Sequence, residues 1–132
     1  MNLNQVTAPC ADLDASVAFY RRLGLRLIVR DPPDYARFEC PVGDATFSLH
    51  RVPHVPSEHG VVVYFEVEDL DAKVQELTAA GLRFESGPQD QPWLWREAHL
   101  RDPAGNRVCL FHAGENRRNP PWRLPDAVGI RG

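Results

Sequence analysis

Apolar and polar positions alternate in two rhythms along this chain, and the order of those rhythms occurs twice. Leu13, Val17 and Tyr20 stand at i, i+4 and i+7, one apolar stripe of a helix over about 13–23. Asp12 has N-cap chemistry, and Asp14 places negative charge in the first turn, where the helix dipole favours it. Gly24 ends the helix as a glycine just past the last turn does. The same signals return 57 residues later: Asp69, the stripe Leu70, Val74 and Leu77, then Gly81. Asp12-Leu13-Asp14-Ala15 matches Asp69-Leu70-Asp71-Ala72, and Gly24-Leu25-Arg26 matches Gly81-Leu82-Arg83. The chain is a duplicated unit.

Period-two and short apolar runs supply the strands around each helix. In the first half these are Leu3–Ala8, Leu25–Val29, Tyr35–Cys40 and Ala45–Arg51, with turns at Asp31–Asp34 and Pro41–Asp44. A connector with Pro53 and Pro56 follows. The second half offers Val61–Val67, Leu82–Glu85, Trp93–Arg101 and Arg107–His112, with a polar loop over Ser86–Pro92 and a turn at Asp102-Pro103-Ala104-Gly105. Each half therefore reads β-α-β-β-β, an α+β architecture of two tandem modules forming a concave, mostly antiparallel sheet. The expected organisation is one domain over 1–112, with module one at 1–52 and module two at 60–112. A proline- and arginine-containing tail occupies 113–132.

Strand parity separates a core face from a second face. In the fifth strand Val61, Val63, Phe65 and Val67 should pack under the helices, leaving Val62, Tyr64 and Glu66 on the other side. Shifting by the repeat puts Val6 inward in the first strand and Gln5 and Thr7 opposite. Phe47 and Leu49 go inward, leaving Thr46, Ser48 and His50. Val108 and Leu110 go inward, leaving Arg107, Cys109 and Phe111. Leu94, Ala98 and Leu100 go inward, leaving Trp93, Trp95, Glu97 and His99. The second face is too polar for plain core and suits the lining of a ligand pocket: Gln5, Thr7, Ser48, His50, Val62, Tyr64, Trp95, Cys109 and Phe111. His50, Tyr64, Glu66 and His99 are the candidates for acid–base work. His50, His54 and His59 are spaced four and five apart, but a connector with two prolines does not hold a helical ligand face.

Composition narrows the classes. The 132 residues suit one compact domain, with 43% hydrophobic and 25% charged residues. No apolar run approaches the roughly 20 residues of a membrane span, and Met1–Gln5 lacks the basic and apolar regions of a secretion signal. Cys10, Cys40 and Cys109 are odd in number and show no CxxC spacing, so a reducing cytoplasm is expected rather than a disulfide framework. Net charge is −3, and the four arginines of the tail leave the remainder more acidic still, which argues against a nucleic-acid partner. Lys73 is the only lysine, and this Arg-heavy basic content suggests a GC-rich bacterial source.

The paired modules, Asp12-Leu13-Asp14 with Phe19-Tyr20 and Leu23-Gly24-Leu25, the stretch Phe65–Asp71, and above all Asp102-Pro103-Ala104-Gly105-Asn106-Arg107 resemble the vicinal oxygen chelate superfamily. That superfamily comprises the glyoxalase, bleomycin-resistance and dioxygenase-like proteins. The resemblance covers about residues 3–112. It implies a homodimer with a small-molecule ligand in the sheet cleft. Its enzymes hold a divalent metal at four strand positions, which fall here on Gln5, Ser48, Val62 and Cys109. Val62 cannot bind a metal and Ser48 is a poor ligand, so the metal site reads as degenerate and no cofactor is assigned. Gln5, His50 and Cys109 are the weak candidates should a divalent metal bind. The reading is a bleomycin-resistance-like binder of a small aromatic or planar molecule. The alternatives are a metal-dependent glyoxalase-like lyase or dioxygenase, and a metal-free enzyme.

Overall fold

A computed structural model of the chain describes residues 1–56, 58 and 61–125. The order is β1 (Gln5–Cys10), α1 (Leu13–Leu23), β2 (Arg26–Asp31), β3 (Tyr35–Glu39) and β4 (Thr46–Arg51). The second module repeats it with β5 (Val62–Glu66), α2 (Leu70–Ala79), β6 (Phe84–Asp90), β7 (Arg96–Arg101) and β8 (Arg107–His112), and a 3-10 turn spans Gly114–Arg117. Each module forms its own four-stranded sheet, in the orders β1-β4-β3-β2 and β5-β8-β7-β6. In each, the strand before the helix lies parallel to the last strand of the module and the remaining pairs are antiparallel.

The repeat is visible at the level of single hydrogen bonds. Asp12 Oδ1 accepts from the Ala15 amide at 3.1 Å and Asp69 Oδ1 from the Ala72 amide at 3.0 Å. Both helices end in the same left-handed closure. Gly24 and Gly81 take φ of 116° and 98°, and the Leu25 and Leu82 amides reach back to the carbonyls of Tyr20 and Leu77 at 3.0 Å.

One apolar core runs through both modules. It includes Leu13, Val17, Phe38, Phe47 and Leu49 from the first and Leu70, Leu77, Leu100, Val108 and Leu110 from the second, and the Phe47 and Phe65 rings meet at 6.2 Å. A polar clasp reinforces this seam. The buried Tyr20 hydroxyl donates to Asp102 Oδ2 at 2.7 Å, the Ala104 and Asn106 amides donate to Asp102 Oδ1, and Asn106 Nδ2 reaches the Pro9 carbonyl at 2.8 Å. The motif that most strongly marks the family resemblance is therefore structural: it joins the last hairpin of module two to the helix and first strand of module one.

Three sequence expectations need correction. Val61 precedes β5 and is 57% exposed instead of lying in the core. Of the segment expected as a polar loop over Ser86–Pro92, the part up to Asp90 belongs to β6, an edge strand whose pairing to β7 shifts register twice; such irregularities accommodate Gly87 and Pro88. Trp93 and Leu94 belong to a turn before β7. That turn is closed by the Gln91 amide on the Trp95 carbonyl, and Leu94, at φ 68°, points away from the core.

Candidate functional site

The second sheet presents two neighbouring rows of side chains on the face away from the helices. His99, Cys109 and Tyr64 stand side by side across β7, β8 and β5, and Glu97, Phe111 and Glu66 form the adjacent row. Trp95 stacks on Phe111 with centroids 4.6 Å apart, and the Tyr64 ring meets both edge-on at 5.9 and 5.6 Å. Phe111 and Cys109 are buried, whereas Tyr64 is 47% exposed, so the cluster has a firm base and an open top.

Beside the aromatic cluster lies a polar knot. Glu97 is buried, and its Oε2 accepts the Trp93 indole N–H at 2.6 Å while Oε1 lies 2.9 Å from His99 Nε2. Cys109 Sγ is 3.8 Å from the same His99 nitrogen. Burial first, then the charge of Glu97, pushes the Cys109 thiol up to about 12. Burial likewise raises the Tyr64 phenol. Cys109 is thus a protonated thiol in the apo protein, not a ready nucleophile.

Glu66, another of the acid–base candidates, is tied to the start of the tail. Its Oε2 accepts the backbone amides of Ala113 and Gly114 at 2.8 and 2.9 Å, and Arg117 Nε lies 3.5 Å from Oε1. The carboxylate anchors the start of the tail, which also brings the Asn116 carbonyl to the Trp95 indole N–H at 3.4 Å.

The first sheet carries Gln5, Thr7, Ser48 and His50 on its own second face. Ser48 is buried and shares a 2.9 Å hydrogen bond with the Tyr35 hydroxyl, to which Arg37 Nε also donates. Ser48, and then Arg37, hold the Tyr35 phenol below its usual range. Gln5 accepts from Thr46 Oγ1 at 2.8 Å. His50 is exposed opposite Tyr35.

The candidate metal set Gln5, His50 and Cys109 is not brought together. Gln5 pairs with Thr46, so His50 lies four residues further along β4, roughly 13 Å away at strand spacing. Cys109 belongs to the other sheet. At the positions implied by the resemblance, Val62 offers no donor and the Ser48 hydroxyl is engaged by Tyr35, so these residues do not fit a bound metal. His54 is exposed in the connector, and His59 lies outside the described residues. A cleft of about 170 Å³ lies at the seam between the modules, lined by apolar residues such as Val6, Pro9, Pro56, Val61 and Val63. Of the candidate residues only Thr7 borders it, and it is smaller than the roughly 300 Å³ at which ligand pockets begin.

Glu97 is the residue that sequence reasoning left off the site. The signal was available: a hairpin centred on Ala104 sets His99 against Cys109, and Glu97 follows on the same face two residues away.

The model of the Glyoxalase/Bleomycin resistance protein/Dioxygenase superfamily matches residues 2–110, and the chain belongs to that family. A relative of Mycolicibacterium smegmatis, an uncharacterised protein, is 30% identical over 109 residues, covering 83% of this chain and 91% of that one. Among solved structures, a glyoxalase/bleomycin resistance protein/dioxygenase from Nocardioides is 28% identical with a TM-score of 0.76, over 95% of this chain and 90% of that chain. A bleomycin-binding protein complexed with bleomycin shares the fold at 24% identity and a TM-score of 0.68, over 85% of this chain and 98% of that chain.

Proposed function

We propose that this protein binds a small planar or aromatic molecule against the second sheet. The observation that carries the reading is the cluster of Tyr64, Trp95 and Phe111, seated on a buried base and open above. Flat rings offer a stacking surface, and the polar groups beside them orient a ligand. A protein of this fold that holds bleomycin fits the same kind of use. The opposing wall comes from Gln5, Thr7, Ser48 and His50 of a second copy, since within one chain these stand on a separate sheet. The working unit is then a homodimer.

The test is tryptophan fluorescence with a panel of flat aromatic compounds, alongside mass measurement in solution. A saturable change that disappears in Trp95→Ala and persists in Trp122→Phe is the expected result, from a dimer at micromolar concentration. Absence of any response across the panel, or a monomer that binds as well as the dimer, removes the reading or its second-copy component respectively.

A further inference from the structure

We propose that Glu97, His99 and Cys109 form a three-donor site for a zinc-class divalent ion, contained in one sheet of one chain. One donor atom from each residue lies within 4.8 Å of the other two. His99 Nε2 is 3.8 Å from Cys109 Sγ and 2.9 Å from Glu97 Oε1. Tetrahedral zinc, with bonds of about 2.0–2.3 Å, sets its donors roughly 3.3–3.8 Å apart. The two His99 distances need adjustment by a few tenths of an ångström, and the Glu97–Cys109 pair, within 4.8 Å, has to close by up to roughly 1 Å.

The chemistry of the set is equally specific. One thiolate, one imidazole and one carboxylate are borderline donors that suit zinc better than magnesium or calcium. The two anions balance the charge of the dication. Binding replaces the S–H bond of Cys109 by a sulfur–metal bond and releases that proton to the buffer, while His99 coordinates as neutral imidazole through Nε2.

The scaffold holds the donors in place. His99 and Cys109 are direct partners across β7 and β8, and Glu97 lies one pleat along on the same face. The Trp93 indole N–H fixes Glu97 through Oε2 and leaves Oε1 turned to His99, the kind of outer contact that orients metal ligands. The Glu97 side chain is 4% exposed and that of His99 33%, so the ion has an entry path from the open face. Three protein donors leave a fourth position for water or a ligand. Only Cys109 coincides with a position that the family resemblance assigns to metal.

The experiment uses untagged, chelator-treated full-length protein titrated with Co²⁺, which reports a thiolate ligand by a near-ultraviolet charge-transfer band. The expected result is one equivalent bound, displaceable by Zn²⁺, with the band lost in Cys109→Ser and unchanged in Cys40→Ser. His99→Ala and Glu97→Gln, checked for folding by circular dichroism, should weaken Co²⁺ binding about tenfold or more. The proposal is overturned if no charge-transfer band forms, if it survives Cys109→Ser, or if His99→Ala and Glu97→Gln leave the affinity unchanged. The aromatic-ligand titration runs without metal, so either result can fail while the other stands.

Discussion

The two modules close their helices with the same bonds and then present different faces. In the first sheet, Tyr35 lies under hydroxyl and guanidinium donors, Gln5 and Thr46 bond in the open, and His50 is exposed. In the second, a buried carboxylate, a buried thiol and three packed aromatic rings occupy the equivalent face. The shifts of the two tyrosines summarise the contrast: hydrogen bonding lowers Tyr35 and burial raises Tyr64. Duplication has kept what makes the fold and released the face that points away from the helices. Fold determinants act within a few residues of each other and tolerate copying, whereas a site needs unlike walls.

The largest break in the symmetry is the Asp102 clasp. Its buried carboxylate serves one hydroxyl, two backbone amides and one side-chain amide, and the first module's turn at Asp44 is exposed and carries no such network. Asp102→Ala should cost about 3 kcal/mol or more, because the buried Tyr20 hydroxyl and the Ala104 and Asn106 backbone amides lose the carboxylate they donate to. Asp44→Ala should stay within about 0.5 kcal/mol. Urea denaturation of the two variants decides this, and equal losses would mean that the clasp does not hold the modules together.

A smaller, pH-dependent difference follows from the buried thiol. The folded state holds the Cys109 proton from the ordinary 9.0 up to about 12, while the unfolded thiol ionises near its ordinary value. Between those limits the unfolded chain binds fewer protons, so stability falls as pH rises. Cys109 contributes at most about 1.4 kcal/mol per pH unit to that slope. Burial raises Cys10 and Tyr20 as well, so the wild-type decline is steeper than one proton gives. Cys109→Ala lowers stability at neutral pH through the cavity it leaves, but its decline above pH 9 should be shallower than that of the wild type. Parallel slopes in the two proteins would show that the thiol titrates as it does in the unfolded chain.

The helices and the repeat were legible in the sequence because caps, glycines and apolar stripes are local signals. Asp12, Gly24 and their counterparts 57 residues on need no tertiary context. Strand parity was legible for the same reason, and it placed Tyr64, Cys109 and Phe111 on one face. The misreadings fall where edge effects and turns outweigh pattern. β6 tolerates Gly87 and Pro88 because an edge strand bonds on one side only, and Leu94 is apolar yet belongs to a turn that aims Trp93 at Glu97. Parity gives a face but not a height along a strand: Gln5 and His50 share a side of the sheet but lie four residues apart along the β1–β4 pair. The employment of Glu66 depended on the tail, whose path no periodicity announces.

The duplicated caps give the comparison its internal control. Asp12→Ala and Asp69→Ala each remove one side-chain acceptor from the first turn of a helix, at matched distances of 3.1 and 3.0 Å. Each should cost about 1 kcal/mol. Because both helices pack on one continuous core, the losses should appear in a single unfolding transition. Two resolved transitions in thermal denaturation, with one variant shifting only the first and the other only the second, would show that the modules unfold separately.

The smallest effect is expected on the open face of the first sheet. Thr46 Oγ1 donates to Gln5 Oε1 where water reaches both, so Thr46→Val leaves groups that solvent satisfies. The cost to an isolated chain should be within about 0.5 kcal/mol. The outcome changes if a second copy covers that face, because Gln5 then loses a partner where water cannot replace it. Stability would then depend on protein concentration, as for any folded state coupled to association. Thr46→Val should weaken that dependence while leaving the dilute-limit stability of the chain almost untouched. Denaturation midpoints for wild type and variant at two well-separated concentrations read both quantities together. A midpoint independent of concentration in the wild type would remove the second copy and leave the first sheet's polar face exposed to water.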